Sequence, residues 1–455
     1  MKKSLKIALI IAKSANPKQM YKEYPLGIGY IGTVLKNANH IVRIFDQSIE
    51  FQDNTKLLKE LLNFSPDVIG FSIMTSNYTN SIKILEMIKY NNLQSINFAG
   101  GVHPTLFAKE CVEQGFDYVI KGEGEIASKQ LVDAIFYTED ITKVSNIVYK
   151  SNNKIIENKT EKLNVDINSF PIVDRTLYSN EKYTKHSICT SRGCPFSCKF
   201  CFNFSNISTI KRGNRTRCIE NVVSEIEYIT SEFGNKEIFF TDDVFFNKIS
   251  KVREFVELIN KKRLSINFIA QLRADMITDE MCLLLKSIGC IKIEVGVETG
   301  SEIILKSACK GLSIEAIKRG IATAKKHNLR VKTNWIYGLP GSLSEQYKCI
   351  DLMLETKPNE ISIHQLVPFP GTEYYEKREQ YGIIIKDITN FDSFCYGTLD
   401  DNITYEYMSF DEYRQLLVDT IKALEKIGYK SSDNCTSDDM YIYSSPLEKR
   451  NLEIV

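Results

Sequence analysis

The sequence predicts an α/β protein: an N-terminal open parallel sheet, then a partial TIM-like (β/α)6 barrel, then a small, mainly helical C-terminal region. Three observations lead to this prediction. Short apolar runs alternate with amphipathic helical segments from residue 5 to about 135, a pattern typical of an open parallel sheet. A hairpin-like stretch and a polar linker follow, and a second series of strand–helix units starts near residue 186. At 455 residues the chain also exceeds the usual size of a single hydrophobic core.

The N-terminal sheet is predicted from apolar runs that are each followed by a turn and a helix-like segment, such as 81–90. The predicted strands are 5–11, 41–45, 68–72, 96–98 and 118–120. In open parallel sheets, ligands bind outside the carboxyl ends of the strands. The loops at that edge are rich in small residues, and they are 25–29, 72–76, 100–104 and 122–125. We therefore expect a small-molecule site along this edge.

The middle of the chain is predicted as a hairpin and a linker, because 146–149 and 154–157 flank a Ser-Asn-Asn turn and a polar stretch follows. The predicted barrel strands are 187–190, 237–241, 267–271, 291–297, 330–336 and 360–364, with helices such as 219–233 and 314–326 between them. In such barrels the chemistry lies at the carboxyl ends of the strands. In the tail, Ser409 and Glu412 form a capping box and Gly428 follows the last turn of one clear helix.

These patterns give the predicted domain bounds. They are 1–138 for the first sheet, 139–185 for the hairpin and linker, 186–375 for the barrel, and 376–455 for the C-terminal region.

Composition and charge exclude several classes of function. The chain has 58 basic and 57 acidic residues, so it presents no global field that would attract nucleic acid or an anionic membrane. The apolar run near the N-terminus is broken by Lys6 and ends at Lys13 without a small-residue cleavage site, which favours a first strand over a signal peptide. No stretch approaches the roughly 18 to 20 apolar residues that span a bilayer. We therefore expect a cytoplasmic protein with no membrane span and no nucleic-acid partner.

Three of the 12 cysteines stand close together, directly after a predicted strand: Cys194, Cys198 and Cys201. Thiolates are the usual ligands of iron–sulfur clusters, and closely spaced cysteines on one loop can hold a single cluster. A structural zinc site needs four ligands, and no fourth Cys or His follows nearby. A thioredoxin-like pair of Cys198 and Cys201 is a further alternative, which the third cysteine disfavours. The scattered cysteines are interpreted as buried free thiols.

The spacing C-x-x-x-C-x-aromatic-C, with Phe200 as the aromatic residue, resembles the signature of the radical S-adenosylmethionine (SAM) superfamily. The resemblance implies a [4Fe–4S] cluster in which Cys194, Cys198 and Cys201 each bind one iron and SAM binds the fourth. It also implies reductive cleavage of SAM to methionine and a 5′-deoxyadenosyl radical. The electron would come from an external donor such as flavodoxin or ferredoxin.

Later segments resemble the same superfamily, and the resemblance implies contacts with SAM. The matching segments are 215–227, 239–243, 271–275, 294–300 and 335–341. By this resemblance Asp242 or Asp243 accepts from the amino group of SAM. Arg273 faces the carboxylate and Glu298 holds the ribose hydroxyls, whereas a salt bridge or a cap is the structural alternative for each charged residue. The rest of the implied SAM set is Phe200 with Gly338 and Gly341, glycines of a turn that lets the backbone approach adenine. No general acid or base is predicted.

Radical SAM barrels preceded by a flavodoxin- or Rossmann-like sheet form a large class that binds cobalamin there, and the N-terminal part of this sequence resembles that B12-binding type. The resemblance covers roughly residues 5–430. The implied cobalamin-binding residues are Leu26, Gly27, Ser72, Met74, Thr75, Gly100, Gly101, His103, Gly122 and Glu123. The sequence departs from the better-known cobalamin mutases because it has no Asp-x-His-x-x-Gly stretch. The resemblance therefore implies a cobalt without a histidine ligand, and His103 caps the turn or lines the pocket.

The resemblance implies a cobalamin-dependent radical SAM enzyme, above all a C-methyltransferase. The adenosyl radical would remove a hydrogen from the substrate and methylcobalamin would donate the methyl group, while the protein positions both cofactors. Two alternatives stay open: a non-methylating rearrangement, cyclisation or oxidation, and a radical SAM enzyme whose N-terminal domain is only a scaffold. The expected substrate is a small molecule or a peptide. Candidates for its recognition, with core packing as the alternative, are Tyr374, Tyr375, Phe394 and Tyr396.

Overall fold

The computed structural model describes residues 3–16, 23–51, 53–161, 166–178, 182–202, 214–234, 237–395, 401–431 and 441–444. These residues form two compact units. The first holds the described residues up to Thr184 together with Asn390–Cys395, and the second holds the others from Lys185 onward. Each helix within the described ranges is too short or too polar to span a membrane.

The first unit is built on a seven-stranded sheet. Its strands are β1 (Lys6–Ile11), β2 (Ile41–Asp46), β3 (Val68–Ser72), β4 (Ile96–Gly100), β5 (Tyr118–Ile120), β6 (Ile147–Ser151) and β7 (Lys154–Glu157). They lie in the order β2-β1-β3-β4-β5-β6-β7; β1 to β5 are parallel, and the β6–β7 hairpin adds antiparallel strands beside β5. The order 2-1-3-4-5 is that of flavodoxin-like sheets. The predicted N-terminal parallel sheet is confirmed.

Helices lie along the chain between the strands of this sheet. They are α1 (Leu26–Asn37), α2 (Asn54–Phe64), α3 (Tyr78–Tyr90), α4 (Val102–Leu106), α5 (Ala108–Glu113) and α6 (Gly124–Tyr137). Short 3-10 helices lie at Thr75–Asn77, Ile141–Lys143, Ile167–Ser169, Arg175–Leu177 and Phe391–Ser393. The four residues Ile7 to Ile10 of β1 are all buried, as expected for a central parallel strand covered on both faces.

The small-residue segment 25–29 is a helix start rather than the loop that the sequence predicted. Pro25 stands at the N-cap and α1 begins at Leu26. A Cβ on Gly29 would overlap the hydroxyl of Tyr178, and that hydroxyl donates to the carbonyl of Pro25 at 2.7 Å. Gly29 therefore serves the close packing of the later linker segment on α1.

The second unit is built on an eight-stranded sheet with two small ladders beside it. Its strands are β8 (Lys185–Ile188), β9 (Ser191–Arg192), β10 (Arg215–Thr216), β11 (Glu237–Phe240), β12 (Phe268–Leu272), β13 (Cys290–Glu298), β14 (Arg330–Tyr337), β15 (Glu360–Gln365), β16 (Ile383–Ile385), β17 (Ile403–Tyr405), β18 (Lys430–Ser431) and β19 (Tyr441–Ser444). The main sheet has the order β18-β19-β15-β14-β13-β12-β11-β8, and its six strands from β8 to β15 are parallel. β15 pairs with β19 instead of returning to β8, so the predicted partial barrel is confirmed.

The described helices of the second unit separate these strands along the chain. They are α7 (Ile219–Phe233), α8 (Ile249–Lys261), α9 (Asp279–Ser287), α10 (Glu302–Ser307), α11 (Ile314–Lys326), α12 (Leu343–Thr356), α13 (Glu373–Glu376) and α14 (Phe410–Lys426), with 3-10 helices at Ala274–Met276 and Arg378–Tyr381. The predicted capping box of α14 is present between Ser409 and Glu412. The C-terminal region also contributes β16, β17, β18 and β19, which the sequence did not indicate.

The central strands of this sheet have one apolar and one polar face. Along β13, Ile293, Val295 and Val297 are fully buried, while the alternate residues Lys292 and Glu294 are partly exposed. Ion pairs cross the polar face between strands: Lys292 with Glu360 at 3.1 Å, for example. The polar face is available for a ligand with charged or hydrogen-bonding groups, in contrast to the packed apolar interior of a closed barrel.

Candidate functional site

The three predicted cluster ligands lie on one loop after β9. Cys198 is buried, Cys194 and Cys201 are half-buried, and none forms a disulfide. The amide of Cys201 donates to the carbonyl of Cys198 at 3.0 Å, which closes the second half of the loop into a turn. Burial raises the pKa of Cys194 and of Cys198, while Arg273 and Lys310 act against this increase.

The donor set of this loop fits an iron–sulfur cluster by its chemistry. It supplies three thiols with no disulfide between them, and the positive charges of Arg273 and Lys310 partly offset the effect of burial on the pKa of Cys194 and Cys198. Within the described ranges, no three His, Cys, Asp or Glu side chains converge on a common metal position. The structure therefore places the three cysteines on one loop without drawing their sulfur atoms around one point.

Contacts on two sides hold this loop. The amide of Lys199 donates to the carbonyl of Ala308 at 3.0 Å, and the amide of Tyr374 donates to the carbonyl of Lys199 at 3.3 Å. The guanidinium carbon of Arg273 lies 3.5 Å from the ring centroid of Phe196, within the range of a cation–π contact. The loop is thus positioned by the segment after α10, by α13 and by the end of β12.

The two neighbouring aspartates after β11 have different surroundings. Asp242 is buried and accepts from the Thr190 amide at 2.9 Å, the Thr190 hydroxyl at 2.7 Å and the Ser191 hydroxyl at 2.8 Å. Burial raises the pKa of Asp242 to about 6, although these hydrogen bonds oppose the increase. Asp243 is exposed, and its charge raises the pKa of Cys194. Asp242 is therefore occupied in joining β11 to the chain after β8, and Asp243 is the aspartate near the cluster loop.

Arg273 makes internal contacts with most of its donors. It donates to the carbonyls of Lys310 and Gly311, each at 3.0 Å, and to both carboxylate oxygens of Asp275 at 3.2 Å. A guanidinium has five N–H groups, so four are already engaged. These contacts, with the Phe196 stacking, fit a residue that joins the cluster loop to the segment after α10.

Glu298 ends β13 in a conformation that is rare for a side-chain-bearing residue. Its φ is +69°, and the register between β13 and β14 shifts between Gly296 and Glu298. The carboxylate Oε1 accepts from Nζ of Lys310 at 2.6 Å, with the two side chains 11% and 10% exposed. A strained residue with a buried charge at a strand end is a feature of functional sites.

Lys310 is a candidate that the sequence analysis missed. Burial lowers its pKa, but Glu298 and Cys198 act more strongly in the opposite direction, so its pKa lies above the usual value for lysine. Its Nζ also lies 5.8 Å from the ring centroid of Phe200. A Lys-Gly pair twelve positions after Glu298 was the available signal, and only the tertiary contact gives it meaning.

The turn after β14 is covered by tyrosines of the C-terminal region. Gly338 has φ +89°, and a Cβ there would lie 2.9 Å from the ring of Tyr405. The Tyr407 hydroxyl donates to the carbonyl of Gly338 at 2.7 Å. A Cβ on Gly341 would lie 2.7 Å from Ile304. Both glycines thus permit close packing by side chains of this chain.

Asn334, on the polar face of β14, is a second candidate missed by the sequence analysis. It is half-buried and pairs in register with Gly296 on β13, two residues before Glu298. A Cβ on Gly296 would overlap the carboxylate of Glu298 and lie 3.0 Å from Nζ of Lys310, so the ion pair packs over Gly296, the register partner of Asn334. From the sequence alone, a polar residue inside a strand does not indicate a site, because the strand register is needed to show what lies beside it.

In the first unit, most of the predicted cobalamin residues lie at the carboxyl ends of β3, β4 and β5 or at the start of α1. Ser72 and Gly100 end their strands, Gly122 follows β5, Leu26 and Gly27 begin α1, and Glu123 is the N-cap of α6. The chain leaves β1 for β2 on one side and β3 lies on the other. A crevice at such a switch in strand order is where open α/β sheets bind ligands.

Gly101 and Thr105 shape this edge. Gly101 has φ +109°, and a Cβ there would lie 2.7 Å from the carbonyl oxygen of Ile73. The hydroxyl of Thr105 donates to the Gly101 carbonyl at 2.6 Å and accepts from the Gly122 amide at 2.9 Å. Thr105 therefore joins two of the predicted loops, although no sequence motif marks it.

The opposite side of the edge offers open and apolar surface. Apart from its chain neighbours and the backbone of α1, no described residue has an atom within 4 Å of a Cβ built on Gly27. Met74 is 52% exposed, while the adjacent Thr75 is buried. An exposed methionine next to small residues suits contact with a large, partly apolar ring system.

His103 is packed inside the first unit. It is fully buried, with ring centroids of Tyr78 at 4.0 Å, Phe107 at 4.7 Å and Phe391 at 4.7 Å. Its Nδ1 lies 3.4 Å from the Thr75 hydroxyl, and burial lowers its pKa to about 3. The imidazole is therefore neutral at physiological pH and fits a residue that supports the loop rather than an exposed ligand.

The aromatic residues predicted to recognise the substrate are buried where the structure describes them. Tyr374 and Tyr375 are buried in the second unit, and Phe394 is buried in the first. Tyr396 lies outside the described residues. The placement of the three described residues agrees with core packing, the alternative that the sequence left open.

Known proteins resemble the chain in both units. Residues 18–132 match the B12 binding domain family, and residues 188–352 match the radical SAM superfamily. The chain is 28% identical over 410 residues to an uncharacterized methyltransferase of Pyrococcus horikoshii, covering 86% of each protein. It is 23% identical over 449 residues to the anaerobic magnesium-protoporphyrin IX monomethyl ester cyclase of Rubrivivax gelatinosus, covering 89% of this chain and 79% of that protein.

The fold is similar to that of a solved enzyme. The radical SAM methyltransferase TsrM from Kitasatospora setae, whose structure has cobalamin and a [4Fe–4S] cluster bound, superimposes with a TM-score of 0.70. The sequences are 17% identical, and the match covers 97% of this chain and 84% of that one. At this identity the similarity concerns the fold.

Proposed function

We propose that this chain, an enzyme that joins a B12-binding domain to a radical SAM domain, transfers a methyl group from cobalamin to a carbon atom of its substrate. The observation that carries the proposal is the presence of both domains in one chain that aligns over 86% of its length with a methyltransferase. The two domains call for a [4Fe–4S] cluster, SAM and cobalamin as cofactors. When bound, these groups supply reductive cleavage of SAM and a transferable methyl group.

In this proposal, Cys194, Cys198 and Cys201 bind three irons of the cluster. A one-electron donor from outside the chain reduces it. Three thiolate ligands on a four-iron cluster leave one iron for SAM, and a fourth ligand from the same loop would close that position. Asp243 accepts from the amino group of SAM, since Asp242 is occupied by Thr190 and Ser191.

The carboxylate and ribose of SAM fall to residues around the buried ion pair. Lys310 has three N–H donors, and the structure gives its Nζ one acceptor, Oε1 of Glu298, among the described side chains. Two donors remain for the carboxylate. The second carboxylate oxygen of Glu298 and the amide of Asn334 then serve the ribose hydroxyls, and Arg273 positions the loop rather than contacting SAM.

Cobalamin binds, in this proposal, at the carboxyl edge of the first sheet. Gly27, whose Cβ position is open, lets backbone approach the corrin, Gly101 and Gly122 shape this edge through their positive φ angles, and Met74 provides an apolar contact. His103 packs behind the loops of this edge and does not ligate cobalt, because its ring is enclosed by three aromatic residues.

The proposal is tested without knowledge of the substrate. The anaerobically reconstituted protein, given cob(I)alamin and SAM with a deuterated methyl group, should yield cobalamin carrying that methyl, detected by mass spectrometry and its visible spectrum. With a reductant it should also release 5′-deoxyadenosine. Cys198→Ala should abolish deoxyadenosine release and leave cobalamin binding intact. Absence of methyl transfer to cobalamin by a protein that still cleaves SAM would contradict the proposal.

A second candidate function is a radical ring closure without methyl transfer. The observation that favours it is the similarity to the magnesium-protoporphyrin IX monomethyl ester cyclase over 89% of the chain. That function predicts SAM cleavage with no label on cobalamin, so the same experiment separates the two candidates.

A further inference from the structure

Tyr374 carries a buried hydroxyl next to the cluster loop. Tyr374 is the second residue of the short helix α13, two positions after the Thr372 cap, and is 0% exposed. Its hydroxyl is shielded from solvent and makes no hydrogen bond to any described residue. Buried polar groups in folded proteins nearly always have a partner, so an isolated one requires an explanation such as an absent ligand.

The position of the ring is fixed by contacts with the loop itself. The Tyr374 amide donates to the carbonyl of Lys199, the residue after Cys198. The ring packs edge-on against Tyr381 with centroids 4.8 Å apart, and Lys199 lies over the Tyr381 ring at 4.9 Å. Glu373 accepts from the Tyr381 hydroxyl at 2.5 Å. These contacts hold the backbone and ring of Tyr374 while its hydroxyl is shielded from solvent.

The electrostatics agree with a protonated hydroxyl at this position. Burial raises the pKa of Tyr374, and the nearby acidic groups of Tyr381, Cys309, Glu373 and Cys198 raise it further. The hydroxyl therefore stays protonated and acts as a donor at every physiological pH. A buried donor on a residue whose backbone is bonded to the loop between Cys198 and Cys201 matches an acceptor that appears when the Cys198 sulfur carries charge as a ligand.

We propose that Tyr374 donates a hydrogen bond to the sulfur of Cys198 when the cluster is bound, and thereby raises the reduction potential of the cluster. The proposal rests on the cluster assignment of the proposed function. Hydrogen bonds to cluster sulfurs favour the more negative, reduced state, and they are one of the ways in which proteins set cluster potentials. Tyr374 thus makes the one-electron reduction that precedes SAM cleavage easier.

The test is an EPR-monitored redox titration of the reconstituted full-length protein, without SAM, comparing wild type with Tyr374→Phe. At the wild-type midpoint potential, the ratio of reduced to oxidised cluster should fall about tenfold in the variant, a downward shift of about 59 mV for one electron. Tyr429→Phe is the matched control: Tyr429 is also buried, but its hydroxyl donates to the carbonyl of Pro358, before the amino end of β15. Its potential should equal that of wild type.

A Tyr374→Phe protein with a complete four-iron cluster and the wild-type potential would overturn the proposal. So would a lower thermal stability of the metal-free variant, because that result would show that the hydroxyl already has a partner in the protein. Loss of the cluster in the variant at unchanged metal-free stability would indicate a role in assembly and would also count against it. Failure of the wild type to bind any four-iron cluster is a separate result, which would refute the proposed function itself.

Discussion

Replacing Lys310 by Met tests the buried pair at the proposed SAM site. Lys310 and Glu298 are 2.6 Å apart, and their side chains are 10% and 11% exposed. Removal of one partner leaves the other charge buried and uncompensated, which typically costs about 3–5 kcal/mol. Methionine retains most of the side-chain volume, so a cavity adds little. We expect the unfolding free energy of the second unit to fall by about 3 kcal/mol.

The single tryptophan allows the unfolding free energy of the second unit to be measured separately. Trp335 is fully buried on β14, so its fluorescence during a urea titration reports the second unit. The double variant Lys310→Met with Glu298→Gln should recover about 1–2 kcal/mol, because the isolated charge is gone. Since the pKa of Lys310 lies above its usual value, its stabilising contribution is complete below the unfolded lysine pKa of about 10.4. The cost should therefore be equal at pH 6 and pH 8.

Two results would refute this reasoning. One is a Lys310→Met variant within 1 kcal/mol of wild type, on the scale of a surface ion pair, roughly 0–1 kcal/mol. The other is strict additivity of the two substitutions, which would mean that the charges do not interact. Glu298→Gln alone keeps the shape of the carboxylate and serves as the control for loss of the acceptor charge.

Three further predictions concern single residues. Because burial raises the folded pKa of Asp242 to about 6, above its unfolded value, the unfolding free energy of the second unit should increase as pH falls from about 6 to 4. The Asp242→Asn variant should not show that increase when unfolding is followed by Trp335 fluorescence. Gly101→Ala should destabilise the first unit by about 1–3 kcal/mol, because its Cβ would lie 2.7 Å from a carbonyl oxygen. The control Gly27→Ala, at a position with open space, should change the unfolding free energy by less than about 1 kcal/mol. Both are measured by unfolding followed with far-ultraviolet circular dichroism. Burial lowers the folded pKa of His103 to about 3, so its stabilising contribution should be lost as pH falls from about 6.5 toward 3. The His103→Phe variant should lack this loss. Both proteins should give the same cob(II)alamin EPR spectrum, and a changed axial nitrogen signal would count against a packing role.

Local patterns were sufficient for most of the secondary structure. α7 at Ile219–Phe233 and α11 at Ile314–Lys326 have the bounds that the sequence predicted, because their apolar spacing repeats over three or more turns. Parallel strands of the first sheet such as β1 were recognisable because they are buried on both faces and are therefore continuous apolar runs. β18 and β19 escaped prediction, since short antiparallel edge strands depend on the strand they join, here β15.

The three cysteines proposed as cluster ligands stand out from their spacing, because they belong to one short loop. The proposed SAM contacts do not stand out in this way, because they come from the ends of several strands. That Asp242 is engaged within the protein is decided by the pairing of β11 with β8, which brings Thr190 to Asp242. Membership of Asn390–Cys395 in the first unit, with Phe391 against His103, has no local sign at all.

The sequence by itself determined that a parallel sheet and a partial barrel follow each other and that three thiols share a loop. Those features depend on residues close together in the chain, whose periodicity and spacing are directly visible. Only the tertiary structure decided which charges are already paired, that Lys310 meets Glu298, and that the Tyr374 hydroxyl is buried with no hydrogen-bond partner among the described residues. Such facts depend on burial and on contacts between distant segments, and free energies of buried polar groups are set by those contacts rather than by residue type.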